Sequence, residues 1–324
     1  MKELQLLLDS CRSDSTKKQY AFHMKKYFDF VGHLPKGKDQ IEQKMLDYIL
    51  FLKKQGASYH SIHIAIAPVK SFYSINDVVI NVKKIGKFLP EYKKIRKDRA
   101  YTHEEIGRLL EIADERLKVL ILLLASSGIR LGAVPSIKLE NLEENRIIVY
   151  EGSNEEYHTF ITPECKNAIK NYLDMRSRYG EKLDNDSYLL REQFDVRCPG
   201  KPKPFNFKTI QTKLYDLCRR SGIDKKNVAI AHGFRKFFTT QVVNSKVNSE
   251  IREMLLGHKI GLASAYYRPT EQEMYAEYEK AIDNLTINEE NRLRRKVEIL
   301  EVEKTRMDRI ELQIKTMQED MKEK

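Results

Sequence analysis

Cysteine is scarce in this chain, and the positions of the four cysteines argue against two common kinds of stabilised scaffold. Cys11, Cys165, Cys198 and Cys218 are scattered, without the paired spacing of zinc ligands or of a disulfide framework. We therefore expect neither a structural zinc site nor a disulfide-stabilised fold.

Long apolar stretches are also absent. No apolar run approaches the length of about 20 residues that a membrane-spanning helix needs. The first residues, Met1 to Leu4, do not begin a secretory signal peptide. We expect a cytoplasmic protein that does not enter a membrane.

Positive charge, in contrast, is in excess. Lys and Arg number 58 against 47 Asp and Glu, which gives a net charge of +11. An excess of this size favours a polyanionic partner, with nucleic acid as the first candidate. An unrelated basic protein is the alternative, because net charge alone does not exclude it. The length of 324 residues suggests two domains of ordinary size.

Polar groups with chemical reactivity are concentrated in one short part of the sequence. They are His232, Arg235, His258, Tyr266 and Tyr267. An arginine guanidinium matches phosphate oxygens with two parallel hydrogen bonds, and a histidine transfers protons near neutral pH. A tyrosine phenol can act as a nucleophile. The combination predicts phosphoryl transfer from a phosphodiester to tyrosine, and nothing in it suggests a metal.

The order and spacing of these groups carry a resemblance to a known family. His232-Gly-Phe-Arg235 is followed by Leu255-Leu-Gly257-His258 and by Tyr267, nine residues after His258. Upstream, Ser126-Ser-Gly128-Ile129-Arg130 is similar to the family's first arginine motif. The chain from Lys97 to about Tyr278 therefore resembles the catalytic domain of a tyrosine recombinase, or phage integrase. Within the family, its sequence motifs resemble those of archaeal and archaeal-virus integrases.

The resemblance implies a role for each matching residue. Arg130 and Arg235 would hold the non-bridging oxygens of the scissile phosphate, while His232 and His258 would stabilise charge or transfer protons. Tyr267 would be the nucleophile, and its neighbour Tyr266 is the alternative.

Two positions depart from the family's pattern. An acidic residue usually stands three positions after the first arginine, and this chain has Ala133 there. The family usually places a catalytic lysine in the hairpin that residues 146–161 are expected to form, and this hairpin holds none. Either another donor protonates the departing 5′ oxygen, or a lysine from elsewhere does. The lysine candidates are Lys138, Lys201 and Lys236.

Residues 1–82 predict a small bundle of helices. Apolar residues recur at helical spacing after the capping sequence that begins at Ser13. Thr16, Tyr20 and Met24 resemble a pattern in the family's core-binding domain, so this bundle is expected to bind DNA.

A basic segment, residues 83–99, follows the bundle, with eight basic residues against two acidic ones. A run like this is most often a solvated linker. Between a bundle and a catalytic domain, we interpret it as a linker that contacts DNA phosphates, and Lys236 is a further candidate contact. The expected contacts in the segment are Lys83, Lys84, Lys87, Lys93, Lys94, Arg96, Lys97 and Arg99.

The remaining chain divides into a catalytic domain, residues 100–286, and a charged tail, residues 287–324. The tail has no glycine or proline, and its apolar residues approach a heptad pattern. It predicts a long helix, which either joins subunits in a short coiled coil or stands alone.

The predicted fold is mainly α with a small β-hairpin or sheet (α+β). The resemblance implies a two-domain clamp around double-stranded DNA, four protomers on two DNA sites, and a 3′-phosphotyrosyl intermediate. Because the bond energy is retained in that intermediate, no cofactor is expected. The alternatives are DNA relaxation by a topoisomerase with the same chemistry, or a DNA-binding protein that has lost catalysis.

Overall fold

The computed structural model describes residues 2–35, 37–93, 98–192, 203–224, 226–261 and 266–322. The chain forms two compact units, Met1–Ile95 and Arg96–Lys324. The prediction of a mainly helical fold with one small sheet is confirmed. Among the described residues, no helix combines the length and the apolar character that crossing a membrane requires.

The first unit is a helical bundle, in agreement with the sequence pattern. Ser13 caps the second helix by accepting a hydrogen bond from the Thr16 amide. Met24, Tyr27 and Ile49 are fully buried between the helices. The helices are α1 (Lys2–Asp9), α2 (Asp14–Val31), α3 (Lys38–Lys54), α4 (Tyr59–Ile75) and α5 (Val82–Gly86).

The first part of the expected linker, residues 83–89, belongs to this bundle, which corrects the predicted boundary at residue 82. Ile85 on α5 is fully buried in the first core, and Leu89 packs against that core. Lys84 forms an ion pair with Glu42 at 3.1 Å. The sequence pattern was misleading because one buried isoleucine in a basic run is enough to anchor a short helix.

The second unit is built around an apolar helix, α7, which crosses its core. In the described part of this unit the α-helices are α6 (His103–Ile112), α7 (Glu115–Ser127), α8 (Pro163–Arg178), α9 (Phe207–Arg220), α10 (His232–Asn244), α11 (Ser249–Leu255), α12 (Glu271–Glu279), α13 (Ile282–Leu285) and α14 (Glu289–Lys322). Thr102 and Glu105 form a capping box at the start of α6, as the sequence predicts. Leu120, Ile121 and Leu123 on α7 have no exposed surface.

The end of α7 is set by Gly128, whose backbone adopts the left-handed conformation with φ of 64°. Phe238 lies directly over this glycine, and a Cβ atom placed there would come within 2.5 Å of the ring. Only glycine satisfies both conditions. The turn therefore ends the helix at a fixed place and directs the chain toward Arg130.

One three-stranded antiparallel sheet, in the order β1-β2-β3, lies beside these helices. The strands are β1 (Leu142–Glu143), β2 (Arg146–Val149) and β3 (Tyr157–Phe160). The predicted hairpin is confirmed, because β2 and β3 pair with Ile147 opposite Thr159. Thr159 also donates a hydrogen bond to the carbonyl of Ser127, which attaches the hairpin to the end of α7.

The tail is the helix α14, as predicted. Its start is attached to the catalytic unit through Glu164, whose carboxylate accepts hydrogen bonds from the amides of Ile287 and Asn288. Farther along, Leu293, Leu300 and Met307 are exposed. Association of copies through this helix stays a prediction.

Candidate active site

Arg130 follows the Gly128 turn and stands at the surface. Ile129 is buried, so the turn is fixed from inside while the arginine side chain is exposed. The backbone continues into a short 3-10 helix, Leu131–Ser136, in which the Arg130 carbonyl accepts a hydrogen bond from Ala133 at 2.9 Å. Ala133 is fully buried, so the position of the family's acidic residue belongs to the core here.

Arg235 is the most enclosed of the predicted site residues, with 7% of its surface exposed. Its guanidinium donates a hydrogen bond of 2.7 Å to the Gly128 carbonyl and another to the Leu256 carbonyl. Nη2 also lies 2.9 Å from Nε2 of His258. Arg235 therefore joins the turn before Arg130 to the turn that carries His258. Burial and the nearby Arg130 cation lower its pKa.

His258 is held on both sides of its ring. Nδ1 lies 2.6 Å from a carboxylate oxygen of Glu253, and Nε2 faces Arg235. Because arginine can only donate, Nε2 must accept in that contact, and the ring proton is therefore on Nδ1. The hydrogen bond from His258 is the main cause that lowers the pKa of Glu253. Arg252 contacts the other carboxylate oxygen at 2.9 Å.

His232 begins α10, one helical turn before Arg235. Partial burial lowers the pKa of His232, and the cations of Lys236 and Arg235 lower it further. A histidine with a lowered pKa is neutral at pH 7 and can both donate and accept a hydrogen bond.

An open cleft of about 570 Å³ lies beside these residues, and Arg130 and His258 are both in its wall. Its lining consists of Arg130, Asn154, Glu155, Glu156, Tyr157, Met254, Gly257, His258 and Lys259. Lys259 was not among the residues that the sequence singled out. Neither was Glu253, the partner of His258.

Two tyrosines of the hairpin also reach this site, which the sequence interpretation missed. Burial raises the pKa of Tyr157, and the Arg235 and Arg130 cations counter part of that rise. Burial also raises the pKa of Tyr150, against the effect of Arg130. The ring of Tyr157 lies against Gly257, where an added Cβ would come within 2.5 Å. The sequence signal available for this contact was the glycine before His258, which adopts a left-handed conformation in the structure.

The two candidate nucleophiles lie outside the cleft wall. Tyr266 is 91% exposed and Tyr267 is 36% exposed, and neither lines the cleft. Residues 262–265, which join them to the turn after His258, are not among the described residues. The structure thus brings Arg130, Arg235 and His258 together, while neither tyrosine is part of the cleft wall.

The predicted DNA contacts have different surroundings. Lys83, Lys87 and Lys93 are exposed. Arg99 instead forms a two-pronged ion pair with Glu105, at 2.6 and 2.7 Å, within the catalytic unit. Lys236 forms an ion pair with Asp98 at 2.8 Å. Lys94, Arg96 and Lys97 lie outside the described residues.

The lysine candidates for the missing hairpin lysine are engaged elsewhere where they are described. Lys138 forms ion pairs with Asp186 and Glu140, and the hydrogen bond to Asp186 is the main cause that raises its pKa. Lys236 is held by Asp98, as above. Lys201 lies outside the described residues.

Comparison with known proteins gives a family match over most of the second unit. The model described as the phage integrase family matches residues 99–273, more than half of the chain. Among curated proteins, tyrosine recombinase XerA of Pyrococcus horikoshii is 25% identical over 277 residues, which are 83% of this chain and 88% of that protein. Tyrosine recombinase XerC of Lactobacillus leichmannii is 22% identical, with 78% of this chain and 87% of XerC covered.

Solved structures share the fold. The Tn1549 transposon integrase, solved in complex with transposon right end DNA, is 16% identical with a TM-score of 0.62. The match spans 86% of this chain and 98% of that one. A lambda integrase dimer bound to a core site is 14% identical with a TM-score of 0.60. That match spans 83% of this chain and 94% of the lambda integrase chain. At these identities the likeness concerns the fold alone.

Proposed function

The chain belongs to the phage integrase family, and from this premise we propose that it is a site-specific DNA recombinase of the tyrosine type. It cleaves and rejoins DNA strands through a 3′-phosphotyrosyl intermediate. The observation that carries this proposal is the position of Arg235. Its guanidinium joins the Gly128 turn before Arg130 to the Leu256 carbonyl and His258.

The cleft is suited to a phosphodiester. Arg130 is exposed at its wall, so its guanidinium is available to the non-bridging oxygens of a phosphate. Arg235 lies behind the cleft wall, and its burial limits the screening of its charge by water. His258, held by Glu253, keeps Arg235 in place, and His232 offers a neutral imidazole one helical turn away.

Tyr267 is the proposed nucleophile, with Tyr266 as the alternative. Its phenolic oxygen attacks the scissile phosphorus, the phenolic proton passes to water, and the 5′ oxygen takes up a proton as its bond to phosphorus breaks. A 3′-phosphotyrosyl link and a free 5′ hydroxyl result. Attack by a 5′ hydroxyl of the partner strand reverses these steps and rejoins the DNA, so no cofactor is needed. Both tyrosines are exposed, so their phenol groups are accessible to DNA.

The partner is double-stranded DNA, and the protein acts as an oligomer, as the relatives solved on DNA suggest. Lys83, Lys87 and Lys93 are proposed phosphate contacts, since their ammonium groups are exposed. Lys94, Arg96 and Lys97 stay proposals from the sequence alone. Lys84, Arg99 and Lys236 are weaker candidates, because each is ion-paired to a carboxylate.

A recombination assay tests the function on DNA sites that the protein itself selects. Duplexes that bind the protein are isolated from a random-sequence pool, and two copies of a selected site are placed as direct repeats on a plasmid. Deletion of the DNA between the repeats, without metal or nucleotide, is the expected result. Relaxation of supercoils without deletion would indicate a topoisomerase, and tight binding with neither reaction would indicate a protein that only binds DNA.

A further inference from the structure

The proposed reaction needs a proton donor, and this inference rests on that reaction. When the bond between phosphorus and the 5′ oxygen breaks, negative charge develops on an oxygen that is a poor leaving group at neutral pH. A positioned acid that protonates this oxygen accelerates such a step by about 10²- to 10⁴-fold. The residue that supplies the proton is therefore a catalytic residue still to be assigned.

His258 is a poor donor in this arrangement, although it lines the cleft. Its Nδ1 proton is committed to Glu253 at 2.6 Å, and Nε2 accepts from Arg235 at 2.9 Å. A second proton on the ring would sit on Nε2 and would place two cations in contact. The geometry therefore favours a role for His258 in orienting Arg235.

The lysines considered from the sequence are poorly placed as donors where they are described. Lys138 is held by Asp186 and Glu140, and Lys236 by Asp98. Between β2 and β3 the turn carries Glu151, Glu155 and Glu156. This turn contains no lysine.

Lys259 differs from these lysines in its surroundings. It is exposed, and it lines the cleft together with Arg130 and His258. Among the described residues it is the one lysine in that wall, and none of their carboxylates forms an ion pair with it. Its ammonium group is thus available on the side where the phosphate is proposed to bind.

The backbone before Lys259 is fixed. Gly257 adopts a left-handed conformation with φ of 64°, and its Cα lies against the ring of Tyr157. The His258 amide then donates to the Glu253 carbonyl at 2.9 Å. Because His258 is held at both its backbone and its ring, the next residue starts from a defined place, although its own side chain is long and flexible.

We propose that Lys259 is the general acid of strand cleavage. The Lys259 ammonium gives one proton to the departing 5′ oxygen as the phosphorus–oxygen bond breaks, which leaves a neutral amine and a 5′ hydroxyl. In the rejoining step the amine takes the proton from the attacking 5′ hydroxyl, and the ammonium is restored. The role that the family assigns to a hairpin lysine is thereby moved to the residue after the histidine.

The experiment compares oxygen and sulfur leaving groups in the full-length protein. A selected DNA site is made with the natural 5′ oxygen at the scissile phosphate, or with sulfur in its place, and single-turnover formation of the covalent adduct is measured. Sulfur leaves readily without a proton. Lys259→Met is therefore expected to slow cleavage of the oxygen substrate by about 100-fold or more. The same variant should cleave the sulfur substrate at close to the wild-type rate.

The controls separate this inference from the proposed function. Lys213→Met removes an exposed lysine on α9 and is expected to leave both rates unchanged. Arg130→Ala is expected to slow both substrates, because phosphate binding is needed for each. Equal slowing of both substrates by Lys259→Met, or no slowing of either, would overturn the assignment of Lys259. A wild-type protein that forms no adduct with either substrate would instead contradict the proposed function.

Discussion

The carboxylate of Glu253 accepts a hydrogen bond of 2.6 Å from Nδ1 of His258, and this bond determines which ring nitrogen faces Arg235. An acidic side chain near a proposed phosphate site would repel DNA if it were unpaired. Arg252 contacts the same carboxylate at 2.9 Å and offsets its charge. Glu253, paired with Arg252, therefore positions the histidine with little electrostatic repulsion of the DNA.

Removal of this carboxylate tests its positioning role. Glu253→Ala is expected to slow adduct formation about tenfold, which corresponds to about 1.4 kcal/mol in the barrier. The ¹⁵N NMR shifts of His258 should lose the signature of a proton fixed on Nδ1. Glu250→Ala, on the same helix but with its carboxylate bonded to Ser249, is the control and should change neither quantity. An unchanged tautomer together with a lower rate would mean that Glu253 acts in some other way.

Arg130 and Arg235 are expected to differ in their effects on stability. Arg235→Ala leaves the buried carbonyls of Gly128 and Leu256 without their donor, which costs about 1–3 kcal/mol in the free energy of unfolding. Arg130 is exposed, so Arg130→Ala should alter stability by less than about 0.5 kcal/mol. Both variants should lose about 10²- to 10³-fold in cleavage rate.

Denaturant unfolding and single-turnover cleavage measure the two quantities for each variant. Equal stability of the two variants would contradict the structural role assigned to Arg235. Retained cleavage in either variant would remove that arginine from the proposed phosphate site.

Gly257 tests the contact between the hairpin and the turn that carries His258. Gly257→Ala adds a Cβ that would meet the Tyr157 ring at 2.5 Å, in a backbone conformation that disfavours alanine. Gly222 has a similar φ of 69° with no atom within 4 Å, so Gly222→Ala reports the backbone strain alone, about 1 kcal/mol. Gly257→Ala should destabilise the protein by more than this control.

The destabilisation by Gly257→Ala beyond that of Gly222→Ala should fall when Tyr157→Ala is combined with Gly257→Ala, because the smaller side chain at position 157 removes the clash. Thermal and denaturant unfolding of the single and double variants give the coupling. Independent, additive effects of the two substitutions would show that the contact does not constrain the turn.

Salt dependence tests the basic segment. Combined replacement of Lys83, Lys87 and Lys93 by Ala should weaken binding to all DNA sequences, and should reduce the slope of log affinity against log salt by about 0.9 for each phosphate that is no longer neutralised. Lys84→Ala, next to Lys83 on α5, is the control, because that lysine is already paired with Glu42. A triple variant with the slope of the wild type would exclude these lysines from the DNA interface.

The local features of the fold were predictable from the sequence. The helix after Thr102 begins with the expected capping box, and the hairpin pairs β2 with β3 as expected. The order and spacing of Arg130, Arg235 and His258 are local patterns, and the structure brings these three residues together, while their catalytic roles stay predictions. The start of the basic segment was misjudged, since the burial of Ile85 depends on helices far away in the sequence.

The surroundings of the site could not be predicted in the same way. Tyr157 meets Gly257 from a strand that is distant in sequence, and Arg235 reaches carbonyls at two separate turns. Glu253 stands five residues before His258 and Lys259 directly after it, but acidic or basic residues at such positions are common at any surface. Only the structure shows that one holds the histidine ring and the other lines the cleft.

The most direct test of the account traps the covalent intermediate. A selected DNA site with a nick beside the scissile phosphate loses its 5′ fragment on cleavage and cannot be rejoined. After incubation without metal or nucleotide, a protein–DNA adduct should appear on a denaturing gel, and peptide mapping should place the DNA on Tyr267. Tyr267→Phe should abolish the adduct and retain DNA binding. An adduct that persists in Tyr267→Phe and maps to Tyr266 would move the nucleophile by one residue, and the absence of any adduct despite tight binding would contradict the proposed recombinase.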